Sequence, residues 1–122
     1  MPQRFSADSR LRRRSEFQRT FEAGIRSQGR YLTLVVAANG TTRPRVGIVA
    51  SRKLGDAVRR NRAKRLIREV FRKTPIPAGG QGVDIVVIPR RELFDAAYTS
   101  LETDFRTSLR RAVARLPQRT HA

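Results

Sequence analysis

Apolar residues recur along the chain with a period that changes from block to block. In SEFQRTFEAG (15–24), Phe17 and Phe21 stand at i, i+4, the spacing of one helical face. Ser15 reads as the N-cap of this helix, Gln18 as its capping-box partner and Gly24 as the glycine that ends it. YLTLVVAA (31–38) is apolar and rich in β-branched residues, which predicts a strand, and a weaker run at 25–28 predicts an additional edge strand. Asn39-Gly40, extended by TTRP, marks a turn. RVGIVAS (45–51) is the next strand, antiparallel to the first. Gly55-Asp56 breaks the pattern, and Asp56 caps a long helix running to Lys73. Pro75, Pro77 and Gly79-Gly80 form a loop. A buried strand at 83–88 stops at Pro89, and a short turn or helix occupies 92–97. The last helix opens near Thr99 with Glu102 as capping partner. It carries Leu101, Phe105, Leu109, Ala112, Val113 and Leu116 at helical spacing and stops before Pro117.

The order is α-β-β-α-β-α, or α-β-β-β-α-β-α with the edge strand at 25–28. This is an α+β, two-layer arrangement: one small mixed sheet of about four strands packed with helices. Strand 45–51, helix 56–73 and strand 83–88 have the length of a βαβ crossover, so those two strands are expected to be parallel. A chain of 122 residues supports one core. A single domain over 1–122 is expected, with mobile tails at about 1–10 and 117–122.

The helix from Asp56 reads DAVRRNRAKRLIREVFRK. At about 100° per residue, Ala63, Leu66, Ile67, Val70 and Phe71 share the arc that must face the sheet. Arg60, Lys64, Arg68 and Arg72 form an i, i+4 row on one flank, Lys64 bordering the sheet, while Arg62 and Arg65 lie outside near Asn61. Glu69 is the one acid in the body of the helix, so intrahelical pairing cannot neutralise the row. Each like-charge pair at this spacing costs a few tenths of a kcal/mol. An external phosphate backbone is the simplest compensation; a solvated basic face and a membrane-surface helix are the alternatives. The membrane reading needs a free apolar face, which this helix commits to the core.

Charge strengthens the case for a polyanion. The chain has 27 Lys+Arg against 10 Asp+Glu, a formal net charge of +17, and 24 of the 27 cations are arginine. Residues 51–73 alone hold ten cations and two acids, a focused patch rather than general basicity. Guanidinium forks onto phosphate and stacks on bases, so nucleic acid is favoured over membrane. The chain has no cysteine, and its one histidine is His121, which excludes thiol catalysis, zinc ribbons and a Ser-His-Asp triad. The apolar runs are too short to span a bilayer or to form a signal segment, so the chain reads as cytoplasmic. Phe17 and Phe21 fit either a core stripe or a stacking wall for single-stranded RNA.

KLGDAVRRNRAKRLIREVFR, with Arg60-Asn61-Arg62 as its centre, resembles the signature of the protein subunit of bacterial ribonuclease P. RRRSEFQRTFEAG and RVGIVASRK upstream, GVDIVVIPR downstream and the closing amphipathic helix extend the resemblance over roughly residues 10–115, in order. The resemblance implies a ribonucleoprotein that removes the 5′ leader from precursor tRNA, in which the RNA subunit is the ribozyme and, with the substrate, holds the catalytic Mg²⁺. It implies a fold like domain 2 of ribosomal protein S5, with a left-handed βαβ crossover. RNA-subunit contacts then fall on Arg52, Lys53, Arg60, Asn61, Arg62, Lys64, Arg65 and Arg68, and leader contacts on Phe17, Phe21 and Val35, a position that is aromatic in some members. No catalytic or metal-ligating residue is expected in the chain, and Asp84 reads as a cap, an edge position or a salt bridge. The expected partners are the RNA subunit and precursor tRNA, in a one-to-one particle with no obligate protein partner. A structural ribosomal RNA-binding protein fits the composition equally well but not the ordered blocks. A helix-turn-helix DNA reader lacks its second helix, and a stand-alone protein nuclease lacks its ligands.

Overall fold

The computed structural model describes residues 9–76 and 81–117. The chain runs α1 (Arg14–Ala23), β1 (Ile25–Gln28), β2 (Leu32–Ala38), β3 (Arg45–Ile48), α2 (Ala57–Lys73), β4 (Val83–Pro89) and α3 (Tyr98–Ala114), with 3-10 turns at Arg52–Leu54 and Arg91–Asp95. The four strands form one sheet in the order β1-β2-β4-β3. β1 and β2 are antiparallel, β2 and β4 are antiparallel, and β3 and β4 are parallel, as the crossover length requires.

The register explains why β2 and β4 read as unbroken apolar runs. They are the central pair, matched from Leu32–Pro89 to Ala38–Val83, and helices lie on both faces. On one face Leu32, Leu34, Val36, Ile85 and Val87 pack with Ala63, Ile67 and Val70 of α2 and with Phe105 and Leu109 of α3. This pair of layers holds the main core. On the other face Leu11, Val35 and Val86 are buried together, with Phe17, Val49 and Ile88 packed on them. α1 crosses this reverse face and touches β2 and β4.

Several local expectations shift. The Asn39–Gly40 turn is present, with Gly40 at φ +75° and the Asn39 side chain accepting the Thr41 N–H at 2.9 Å. It does not join neighbours, because β4 lies between β2 and β3. α1 is capped at Arg13 rather than Ser15: Glu16 Oε1 accepts the backbone N–H groups of Arg12 and Arg13 at 3.0 and 2.9 Å. A carboxylate answers two orphan donors where the predicted hydroxyl would answer one. Gly24 is extended, φ −83°, not left-handed. Glycine is needed there because a Cβ would lie 2.6 Å from Val35 Cγ1.

β3 ends at Ile48, although Val49 still donates its N–H to the Val87 carbonyl at 2.9 Å. Of the expected mobile N-terminal stretch, residues 1–8 lie outside the described residues. Arg10 instead bridges Val46 in parallel, and Leu11 N–H donates to the Val46 carbonyl at 3.0 Å. The predicted loop residues Pro77 and Gly79-Gly80, and the C-terminal residues 118–122, also fall outside the described residues. No helix among the described residues is long and apolar enough to cross a membrane.

Candidate nucleic-acid interface

α2 forms as its sequence dictates. The Asp56 side chain accepts the Arg59 N–H at 2.9 Å, Ala63, Ile67, Val70 and Phe71 are buried, and Leu66 packs at the edge of the core. Arg59, Asn61, Arg62 and Arg65 are exposed, while Arg60, Lys64 and Arg68 are half-buried along the flank. Glu69 is taken by Arg72 at 2.5 Å and Lys73 at 3.2 Å, toward the helix C-terminus. Those cations hold its carboxyl below the usual range. Among the described residues no carboxylate pairs with Arg60, Arg62, Lys64 or Arg65. The first turn of α2 contains no acid. Cations in the N-terminal half of a helix oppose its dipole. The positive end of α2 therefore adds to the field of its arginines.

The structure divides the eight expected RNA-subunit residues. Asn61, Lys64, Arg65 and Arg68 line a cavity of about 410 Å³ with Glu69 and Arg10. Arg60 and Arg62 continue the surface beyond it. Lys53 lies elsewhere, in a cavity of about 550 Å³ with Leu54, Ile88, Pro89 and Arg91 at the carboxyl ends of β3 and β4. Arg91 Nε donates to the Lys53 carbonyl at 3.1 Å, tying the two cationic loops together. Arg52, beside Lys53 in the same 3-10 turn, is exposed. Arg10 and Arg91 were not among the residues expected from sequence. The signal for Arg10 was Leu11, a lone apolar residue in a basic stretch that has to be buried somewhere.

On the reverse face Phe17 and Phe21 behave differently. The Phe17 ring packs on Gly47, where a Cβ would come within 2.5 Å of the ring, and on the Leu11–Val35–Val86 cluster. Phe21 is 38% exposed. Val35 departs from expectation: at 1% exposed it lies beneath α1 and offers a ligand no surface. The accessible part of this face is the next row along the strands. There the half-buried Ile88 and Val49 and the exposed Gln28 run beside α1, while the exposed Arg26 ends Val35's own row at the sheet edge. Gly47→Ala is expected to push Phe17 off the sheet and to destabilise the fold by about 1–3 kcal/mol, measured by urea denaturation.

One ion-pair network fixes α1 across the sheet. Arg45 donates Nε and Nη2 to the two oxygens of Asp84 at 2.8 and 2.7 Å, and Nη1 to Glu16 at 2.6 Å. Asn39 Nδ2 adds a bond to Asp84 at 2.9 Å. Asp84 is thus a salt bridge on a central strand, neither a cap nor an edge residue. Glu16 is held at a pKa of about 2, mainly by the Arg13 and Arg12 backbone donors and further by Arg45. Another acid serves the fold as well. Asp104 accepts the N–H groups of Arg30 and Tyr31, both at 2.9 Å, which anchors the β1–β2 connection to α3. Among the described residues no group of three or more His, Cys, Asp or Glu is placed to hold a metal.

The chain is similar to known proteins over most of its length. Residues 5–113 match the family model described as Ribonuclease P. A curated "Ribonuclease P protein component" of Thermotoga petrophila is 44% identical over 95 residues, 76% of this chain and 79% of that one. The solved RNase P protein of Thermotoga maritima superposes with a TM-score of 0.74 at 38% identity, covering 84% of this chain and 96% of that one. The Staphylococcus aureus RNase P protein superposes at 0.73 with 32% identity, covering 85% and 94%. The matched span takes in α1, the whole sheet, the basic helix and nearly all of α3, and on that ground the chain belongs to the bacterial ribonuclease P protein family.

Proposed function

We propose that this protein binds the catalytic RNA subunit of ribonuclease P through α2 and assists removal of the 5′ leader from precursor tRNA. The observation that carries the reading is the cationic face of α2. Arg60, Arg62, Lys64 and Arg65 have no carboxylate partner among the described residues, and the helix dipole and their mutual repulsion both oppose that arrangement. RNA phosphate relieves both terms and releases counterions. The protein then lowers the repulsion between two polyanions, the RNA subunit and its substrate. Mg²⁺ is held by RNA and substrate; Glu16, Asp56, Asp84 and Asp104 are engaged within the fold of this chain.

The second surface is the strip of Ile88 and Val49 on the face that α1 crosses and where Phe21 is exposed, leading to the cavity rimmed by Lys53 and Arg91. It suits a single strand: an aromatic wall and apolar floor for bases, guanidinium and ammonium groups for phosphates. Only a precursor carries a leader, so this strip distinguishes precursor from mature tRNA. Phe21→Ala is expected to weaken precursor binding by the assembled particle about fivefold or more and to leave mature tRNA affinity unchanged. Equal loss for both would show that Phe21 does not touch the leader.

Reconstitution tests the whole reading. The purified chain, the RNA subunit and a precursor tRNA are combined at low Mg²⁺, omitting each component in turn. Cleavage at the leader junction is expected with both subunits present. It should fall sharply without the chain and disappear without the RNA subunit. Cleavage by the chain alone would overturn the division of labour.

A further inference from the structure

We infer that the cavity between the tip of the β1–β2 hairpin and α3 holds one unpaired nucleotide of the precursor leader, its base stacked on Arg30 and its ribose read by the threonines of α3. This rests on the reading of the Ile88–Val49 strip as the path of the leader.

The way the hairpin tip is held creates the cavity. Gly29 N–H donates to the Leu32 carbonyl at 2.8 Å, which leaves Arg30 and Tyr31 as the two residues of the tip. Both of their N–H groups donate to Asp104 of α3, and the Tyr31 carbonyl accepts the Arg90 N–H at 2.9 Å. The backbone is fixed while the side chains are not consumed. Tyr31 packs against the main core, and Arg30 Cζ lies 5.4 Å from the centroid of its ring. A guanidinium already held over a ring gives up little freedom when a base stacks on its outer side. Arg30 is exposed, and no carboxylate among the described residues pairs with its guanidinium, since Asp104 takes the backbone instead.

Across from the tip, Thr99, Thr103 and Thr107 stand four residues apart along α3 and line the same cavity, about 390 Å³, with Arg30, Tyr31 and Asp104. Pockets that take small ligands run from about 300 to 1,000 Å³. A threonine in a helix can return its hydroxyl to the carbonyl four residues back. Thr20, Thr74 and Thr103 do so, at 2.9, 2.6 and 3.0 Å. Thr107 does not: its hydroxyl has no partner among the described residues, although the residue is half-buried in the cavity wall. That hydroxyl suits a ribose 2′-OH, which both donates and accepts. The Asp104 carboxylate in the wall opposes a bare anion, so the base and sugar lie inward and the phosphate stays outside beside Arg30.

Placement supplies the source of the nucleotide. The accessible row of the reverse face crosses the sheet from Gln28 at the β1 edge, through Ile88, to Val49 at the end of β3. The Lys53–Arg91 cavity lies toward one end of this row. Gln28 is the other end, two residues before Arg30. A single strand lying along the row therefore leaves it beside the hairpin tip.

The test measures precursor tRNA affinity of the assembled particle, with leaders shortened one nucleotide at a time. For the unsubstituted chain, affinity is expected to step up about tenfold once the leader is long enough to reach the hairpin tip. Arg30→Ala should remove that step and leave the shorter leaders unchanged. Its backbone bond to Asp104 remains, so its melting temperature should hold. A 2′-deoxy nucleotide at the step position should cost the unsubstituted chain about threefold or more and cost Thr107→Val nothing. Equal cost in both would remove the threonine from the site. Phe21→Ala serves as the control for the strip and should lose affinity at the shorter leaders too. If Phe21→Ala loses affinity and Arg30→Ala keeps the step, the pocket is wrong while the strip stands. If leader length has no effect and Phe21→Ala loses nothing, the leader path itself is misplaced and the pocket falls with it. A second arm measures binding of the full chain to the RNA subunit without substrate. A loss there in Arg30→Ala would assign the nucleotide to the RNA subunit and overturn the inference.

Discussion

Arg45→Met is expected to lower the melting temperature by about 10 °C, a loss of about 3 kcal/mol in a domain of this size. The reason lies in Asp84. This carboxylate is 2% exposed on a central strand, and Arg45 supplies two of its three hydrogen bonds. Without the guanidinium, a buried charge is left with one amide donor. The expected loss sits at the low end for a broken buried pair because Arg45 is itself 22% exposed. Arg45→Met/Asp84→Asn should lose less than Arg45→Met alone, since it removes the orphaned charge along with its partner. If the double variant were no more stable than Arg45→Met, the penalty would lie in packing rather than in the charge.

Glu16 gives the same network a pH signature. Its carboxyl titrates at about 2 in the folded protein against an ordinary 4.5. A depressed folded pKa stabilises above the unfolded value. The Glu16 contribution is complete above about pH 4.5 and fades as pH falls toward 2. The leading causes are the Arg13 and Arg12 backbone donors, with Arg45 behind them. The acid limb should therefore persist in large part in Arg45→Met and flatten in Glu16→Gln. Thermal melts between pH 2 and pH 6 would separate the two.

Much of the fold was legible in the sequence because the relevant signals are local. The edge strand at Ile25–Gln28, the buried strand ending at Pro89 and the Asp56 cap all stand where residue type and period put them. What was not legible depends on neighbours. An apolar run says that a strand is buried and not which strand lies beside it, so the insertion of β4 between β2 and β3 had no local mark. The same holds at Val35. Its side faces α1 as expected, but the close approach of Gly24 seals it, and the accessible row moves to Ile88 and Val49. Asp84 and Arg45 lie 39 positions apart and meet only through the parallel register of β3 and β4. At the basic helix, periodicity gave the exposed and buried arcs directly. The contribution of Arg10 was hidden because a residue without periodic neighbours looks like a tail.

The second large effect is expected at that helix. Arg60→Gln/Arg62→Gln/Arg65→Gln should weaken binding to the RNA subunit by about two to three orders of magnitude near physiological salt and lower the magnitude of the salt slope by about two to three. Glutamine keeps the helix propensity and a polar, hydrogen-bonding end while removing the charge and the guanidinium. Ala63, Ile67, Val70 and Phe71, which hold α2 on the sheet, are untouched. The free protein should even gain slightly in stability, because the like-charge pairs at i, i+3 and i, i+4 are relieved. Opposite signs for folding and binding are what a face built for an external polyanion requires. A solvated basic face kept for its own sake would give no loss of RNA affinity. A structural ion-pair face would lose stability instead. Kd and melting temperature measured on the same preparation decide among the three.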